Sequence, residues 1–467
     1  MSRVLIFGHA PLPWEDLERS YGPGTRTWQF AQPLVADGHE VTVLASKIPF
    51  VYPDEEKEVT RGEENGCVIY RIEQDEFEVG GFADRLMREL DPDCVVGATA
   101  YPSYVAVTYA EERPTWVDVF GSFISEGQAK AALYDDNSFL EPFVRFTSQL
   151  VNLADMFSTV SERQKYELIG QLGVLGRLNA ETFGYDFVCP VPCGAQELSF
   201  PPAIDPTGGK GKGAFVVLWS GGFNTWTDVG TLFRGMEMAM AASPSVRFVS
   251  TGGDIRGHDE RTYAEFERMV AASDYRERFH LKGWVKRSEA LSYYGAASVG
   301  INIDASHYEV TFGSRNRILE WALAGLPAVS TDLCELTGEL SGEGLLFPVP
   351  VGDPRALADR VLGLERDREK LRLAGERLKV FVLERYSFEK TTGCLRDWVR
   401  EPRHAPDFAE RVRLRHNALE AARRLSTPPI TPDSPVGEKI RFYLKSEGLL
   451  STLKRSAAFP GRRSRRE

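Results

Sequence analysis

The chain has 467 residues, 42% hydrophobic and 26% charged, with a net charge of −11. That length exceeds one ordinary core and predicts two or three domains, with enough apolar material to fill each. An acidic chain does not suit a nucleic-acid binder, and no window reaches the roughly 18 apolar residues of a membrane span.

The charge is uneven. Residues 411–467 carry 14 Lys/Arg against 5 Asp/Glu, which leaves −20 on the rest. The apolar run 4–7 behind Met1 is too short for the centre of a signal peptide. Six cysteines (Cys67, Cys94, Cys189, Cys193, Cys334, Cys394) lack metal-ligand spacing, so reduced thiols, no metal and a cytoplasmic location are expected.

In chain order, 4–7 reads as a buried strand and 9–24 as a Pro- and Gly-rich loop. Residues 26–37 read as a helix with Pro33 inside it, and 41–45 as the next strand. This βαβ start predicts a parallel sheet with right-handed crossovers. Strands follow at 94–98, 115–119, 156–160 and 187–191, with helices at 82–90, 139–153 and 162–168. Residues 197–213, with PPAIDPTGGKGKG, have the composition of a linker.

The pattern then restarts. Strands are expected at 214–219, 246–251, 279–281, 299–303 and 328–330, and helices at 229–241, 287–296, 315–324 and 354–364. Two consecutive α/β runs joined by a linker imply two doubly wound domains. Beyond Pro402 the pattern weakens. Residues 437–458 then interleave apolar and basic side chains, which fits either a basic amphipathic helix on an anionic membrane or a solubilising tail.

Three segments carry candidate chemistry. Gly22, Gly24 and Arg26 precede a helix, where glycine admits close backbone approach and free amides favour an anion; a plain turn reads equally well. The third glycine of a dinucleotide fingerprint is absent, which disfavours NAD binding. Gly221 and Gly222 follow the first strand of the second run, either as a ligand loop or as a tight turn. The third segment is 309–320. Its helix is expected to start after Gly313 with Ser314 as cap, and Arg315, Asn316 and Arg317 fill its first turn. Two arginines oppose the helix dipole there unless an anion such as a diphosphate joins them. Glu320 lies within reach of ribose hydroxyls.

On these residues the sequence resembles the family-4 (group 1) glycosyltransferases of the GT-B fold. The likeness rests on GHEVTVLA, SGG after the linker, HLKGWV and RILEWALAGLPAVSTD, and spans most of 3–400. It implies a Rossmann-like acceptor-side domain over 1–196, a linker over 197–213, and a nucleotide-sugar domain over 214–382. A crossover helix over 383–402 and a basic extension over 403–467 follow.

The resemblance also implies site roles. Glu320 would hold the ribose; Gly283, Trp284 and Val285 would border the base. Gly221, Gly222 and Gly313–Arg317 would border the diphosphate, with Gly22 and Gly24 closing from the other domain. The expected reaction is hexosyl transfer with retention, without metal or cofactor, from a nucleotide sugar to a glycan or lipid-linked acceptor in polysaccharide synthesis.

Two departures stand out. The family pairs glutamates with seven residues between them, but the position eight before Glu320 is Phe312, and Glu309 lies three residues earlier. The Arg and Lys expected after the first strand of the second domain are replaced by FNTWTD, so Arg315 and Arg317 are expected to neutralise the phosphates. Glu309 is placed near the sugar. Asp118 is the candidate for orienting or deprotonating the acceptor, or else a turn cap, with Glu126, His9, His258 and His307 behind it. The other functions weighed are a nucleotide-sugar epimerase and a non-catalytic scaffold.

Overall fold

The computed structural model describes residues 1–19, 22–52, 59–209 and 213–425. The amphipathic stretch expected at 437–458, and with it the membrane contact, lies outside the described residues. Among those residues no helix is long and apolar enough to cross a membrane.

The first sheet comprises β1 (Arg3–Ala10), β2 (Glu40–Lys47), β3 (Thr60–Glu64), β4 (Cys67–Ile72), β5 (Cys94–Gly97), β6 (Thr115–Val119), β7 (Met156–Thr159) and β8 (Val188–Pro190). Their order is β3-β4-β2-β1-β5-β6-β7-β8, and only β3 against β4 is antiparallel. Side chains alternate across β1, as a doubly covered strand requires. Val4 and Ile6 pack under Trp28, Phe30 and Leu34 of the helix Gly22–Ala36. Leu5 and Phe7 pack on the other face against Leu86, Val105 and Tyr109.

The second sheet comprises β9 (Phe215–Ser220), β10 (Val246–Thr251), β11 (Phe279–Leu281), β12 (Val299–Asn302), β13 (Ala328–Thr331) and β14 (Leu346–Val349). It is wholly parallel, in the order β11-β10-β9-β12-β13-β14. The winding reverses between β1 and β5 in one sheet and between β9 and β12 in the other. Open α/β sheets hold ligands in the crevice such a reversal leaves at the carboxyl ends of the strands.

The chain returns to the first domain through the short helices Phe388–Thr391 and Gly393–Arg400, which bury Phe388, Leu395, Trp398 and Val399 in its core. This return brings Cys394 to 6.7 Å (Cα–Cα) from Cys189, and the two are disulfide-bonded across 205 positions. The expectation of six free thiols is thereby corrected: Cys67, Cys94, Cys193 and Cys334 are free and buried.

A helix, Phe408–Leu425, then lies back on the first domain. Leu419 and Ala422 join the first-domain core, and the other anchors are charged. Arg415 is fully buried and donates to Asp155 Oδ2 (2.6 Å), Thr115 Oγ1 (3.0 Å) and the Leu153 carbonyl (2.8 Å). Just before it, Asp407 accepts two bonds from Arg177 (2.9 and 2.7 Å). Arginine anchors leave no apolar period in sequence, which is why this element was not expected.

Candidate functional site

A cavity of about 440 Å³ opens between the two sheets, within the size range of small-molecule sites. The domains meet around it through Ser161 Oγ to the Phe312 carbonyl (2.8 Å), Arg163 Nη1 to the Leu333 carbonyl (2.8 Å), and Ser288 to Asp16 (2.8 and 2.9 Å).

Its second-domain wall begins where β9 and β10 end. Gly221 has φ +91° and Gly252 φ +101°. A Cβ on Gly252 would stand 2.3 Å from the Gly221 carbonyl oxygen, so the two loops approach as only glycine allows. Both glycines and Gly222 line the cavity. Gly252 escaped sequence reading because it stands in no glycine motif that the resemblance carries.

The segment after β12 supplies the charges. The helix Asn316–Leu323 starts one residue later than expected, and Arg315, not Ser314, precedes its first turn, with no side-chain cap. Arg315 is turned inward. Its Nε donates to Asp304 Oδ2 (2.6 Å) and its Nη2 to Glu309 Oε2 (3.0 Å). Burial opposes its charge, but the two carboxylates outweigh burial and raise its pKa. Arg315 is thus already paired with two carboxylates, so of the two arginines expected at the phosphates only Arg317 has no carboxylate partner among the described residues.

Arg317 is different. Its Nη2 donates to the Gly222 carbonyl (3.1 Å), and its guanidinium lies 4.1 Å from the centre of the Trp219 ring. Its Nη1 is buried without a hydrogen-bond partner. Burial lowers its pKa to about 10, so it stays charged at neutral pH. Among the described residues, four arginines line the cavity. Arg26 is held by Asp118, Arg287 by Glu320, and Arg315 by Asp304 and Glu309, whereas Arg317 has no salt bridge among the described residues.

Glu320 lines the cavity between two supports, Arg287 Nη1 (2.8 Å) and the Tyr294 hydroxyl (3.2 Å). Neither support was picked out from sequence, where nothing marks residues 26 and 33 positions away as neighbours. Trp284 and Val285 line the cavity as expected, and Trp284 Nε1 is pinned to the Asp254 carbonyl (2.8 Å). Gly313, Ser314, Asn316 and Gly22 line it too, and Asn316 Oδ1 is buried and unpartnered.

Three expected site residues are not on the cavity wall. Gly24 lies in the first turn of a helix that starts at Gly22, and a Cβ there would stand 1.7 Å from the Pro11 carbonyl oxygen; its role is close packing. Gly283 takes φ +66° and its carbonyl accepts from Gly252 N (2.6 Å), so it shapes the loop behind the wall. Asp118 is fully buried. Its Oδ2 accepts from Arg26 Nε (2.9 Å) and Thr99 N (3.2 Å), and its Oδ1 from Arg26 Nη2 (2.7 Å) and Ser158 Oγ (2.7 Å). With both oxygens occupied, Asp118 does not meet a substrate. It fixes Arg26, which also bonds Gln29 and the Val191 and Pro192 carbonyls.

Glu309, Glu126 and His258 do line the cavity; His9 and His307 do not. Burial pushes Glu309 up to about 7 against the pull of Arg315, and Glu126 up to about 7 against that of Lys130. Burial also drops His258 to about 4.

Comparison with known proteins agrees with this architecture. A family model described as Glycosyltransferase Family 4 matches residues 21–178, and one described as Glycosyl transferases group 1 matches residues 214–367. Solved structures share the fold. A sucrose-phosphate synthase from Thermosynechococcus elongatus is 17% identical with a TM-score of 0.64, over 86% of this chain and 99% of its own. An E. coli trehalose-6-phosphate protein bound with UDP-2-fluoro glucose is 12% identical with a TM-score of 0.60, over 86% and 100%. Anabaena HepE in complex with UDP and glucose is 13% identical with a TM-score of 0.58, over 86% and 100%. No curated protein sequence matches the chain. Two matched halves, two facing doubly wound sheets and a cavity at their switch points lead to one conclusion: the chain belongs to the family-4 (group 1) glycosyltransferases of the GT-B fold.

Proposed function

We propose that this glycosyltransferase takes a hexosyl unit from a nucleoside-diphosphate sugar and passes it, with retention, to a glycan or lipid-linked hydroxyl in polysaccharide synthesis. The observation that carries the donor side is Arg317, a half-buried cation that pairs with no described carboxylate and whose buried Nη1 has no hydrogen-bond partner, beside Gly221 and Gly222 at the switch point. A site that leaves one guanidinium unneutralised is suited to an anion supplied by a ligand.

In this reading the diphosphate lies against Arg317 and the glycine loop. Glu320, held by Arg287 and Tyr294, accepts from ribose hydroxyls, and Trp284 and Val285 border the base. As the bond between the anomeric carbon and the diphosphate breaks, its electron pair leaves with the diphosphate, and the fixed charge of Arg317 stabilises that leaving group. Calorimetry of UDP, GDP, ADP and TDP on the wild type and on Arg317→Ala tests the reading. Equal affinity for the bound diphosphate in both proteins would sink it.

A further inference from the structure

A second corner of the same cavity has different chemistry. Glu126 lies in the first turn of the helix Phe123–Tyr134, which is capped by Ser122. This helix carries part of the seam with the second domain. Lys130 Nζ donates to the Gly257 carbonyl (3.0 Å), Glu260 N to the Tyr134 hydroxyl (3.1 Å), and Arg261 Nη1 to the Leu133 carbonyl (2.9 Å). The seam sets Glu126 Oε1 3.5 Å from His258 Nδ1.

Glu126 accepts no hydrogen bond from any described residue, and 28% of its side chain is open. Glu309 lies close enough to be influenced by the Glu126 charge. It is 7% exposed; Arg315 occupies its Oε2, and no described group donates to its Oε1. No described lysine lines the cavity, and three of its arginines are already neutralised. None of Glu126, Glu309 and His258 is a cation free to pair with a phosphate, whereas the unoccupied carboxyl oxygens and the imidazole can hydrogen-bond hydroxyls.

We propose that Glu126 and His258, with Glu309 beside them, bind hydroxyl groups of an acceptor that carries no phosphate at this end. Glu126 is then the residue that selects a neutral glycoside over the corresponding sugar phosphate. The assignment of this corner to the acceptor rests on the glycosyl-transfer reading above.

Saturation-transfer NMR tests this on the full chain loaded with whichever nucleoside diphosphate binds. The probes are methyl glucoside, methyl galactoside and methyl mannoside, each paired with its 6-phosphate. The wild type is expected to bind the neutral member of at least one pair. Glu126→Gln should weaken that binding about tenfold, and Glu126→Lys should shift preference to the phosphate. Preference of the wild type for phosphates, an unchanged ratio in both variants, or no glycoside bound at all overturns the proposal. Diphosphate affinity measured on the same samples separates the two readings: intact affinity with failed glycoside selection refutes only this corner, whereas no diphosphate binding by the wild type refutes the donor site.

Discussion

Asp118 and Arg26 form a two-point ion pair in the interior of the first domain, at 2.9 and 2.7 Å, with neither side chain exposed. The pair joins the end of β6 to the helix behind Gly22, and through Arg26 to the carbonyls of Val191 and Pro192. Removing one member leaves the other charge buried and uncompensated, which typically costs about 3–5 kcal/mol. Asp118→Ala is therefore expected to lower unfolding stability by that order in a denaturant titration. A variant as stable as the wild type but unable to turn over would return Asp118 to the chemistry.

The two arginines of the 315–317 segment are expected to separate by phenotype. Arg317→Ala should weaken nucleoside-diphosphate binding roughly 10- to 100-fold, as befits loss of a charge-assisted hydrogen bond of about 1.5–3 kcal/mol, while the melting temperature changes little. Arg315→Ala strands the buried Asp304 and Glu309 and should cost stability first. Calorimetry and thermal melts on both variants check this; the opposite assignment would mean that the diphosphate lies against Arg315.

Short apolar runs located most strands of both sheets to within about three residues, because strands such as β1 and β9 are buried on both faces and carry unbroken apolar runs. The hairpin of β3 and β4 was missed although its turn is Asn65-Gly66, both at positive φ, a strong local signal for a two-residue turn. The cavity-lining set around Gly221, Gly222, Arg317 and Glu320 was legible through motif order. Which arginine is already paired was not. Asp304 lies 11 residues from Arg315 and Asp118 lies 92 from Arg26, and only the folded chain brings them together.

Glycines that serve packing and those that border the cavity should also diverge. Gly24→Ala pushes a methyl into the Pro11 carbonyl, and Gly300→Ala pushes one against the Trp321 ring at 2.4 Å. Each is expected to destabilise by at least about 1–3 kcal/mol, as overpacking does. Gly22→Ala would meet the Asn316 amide nitrogen at 3.0 Å and the Phe120 ring only at ordinary contact distance, so it should leave the melting temperature near wild type and reduce diphosphate affinity instead. Thermal melts and titrations of the three variants distinguish the classes; equal destabilisation by Gly22→Ala would remove it from the site.

The raised carboxyls predict a pH signature whose sign is fixed. Glu126 and Glu309 titrate near 7 in the folded chain against 4.5 when unfolded, so the folded state holds their protons more tightly. Their contribution to stability is full below pH 4.5 and is lost as pH rises through 7. His258 works the other way. Its pKa falls from 6.5 to about 4, so its contribution is lost as pH falls through that window. Groups from every side bear on Glu126, namely His258, Lys130 and Glu309, so the informative quantity is a difference between proteins. Glu126→Gln deletes one raised carboxyl and keeps the histidine. Its unfolding free energy, measured by denaturant titration from pH 4.5 to 8, should fall less with rising pH than that of the wild type. Parallel curves would show that Glu126 titrates like a solvated surface carboxylate, and a steeper fall in the variant would show that its pKa is lowered rather than raised in the folded chain.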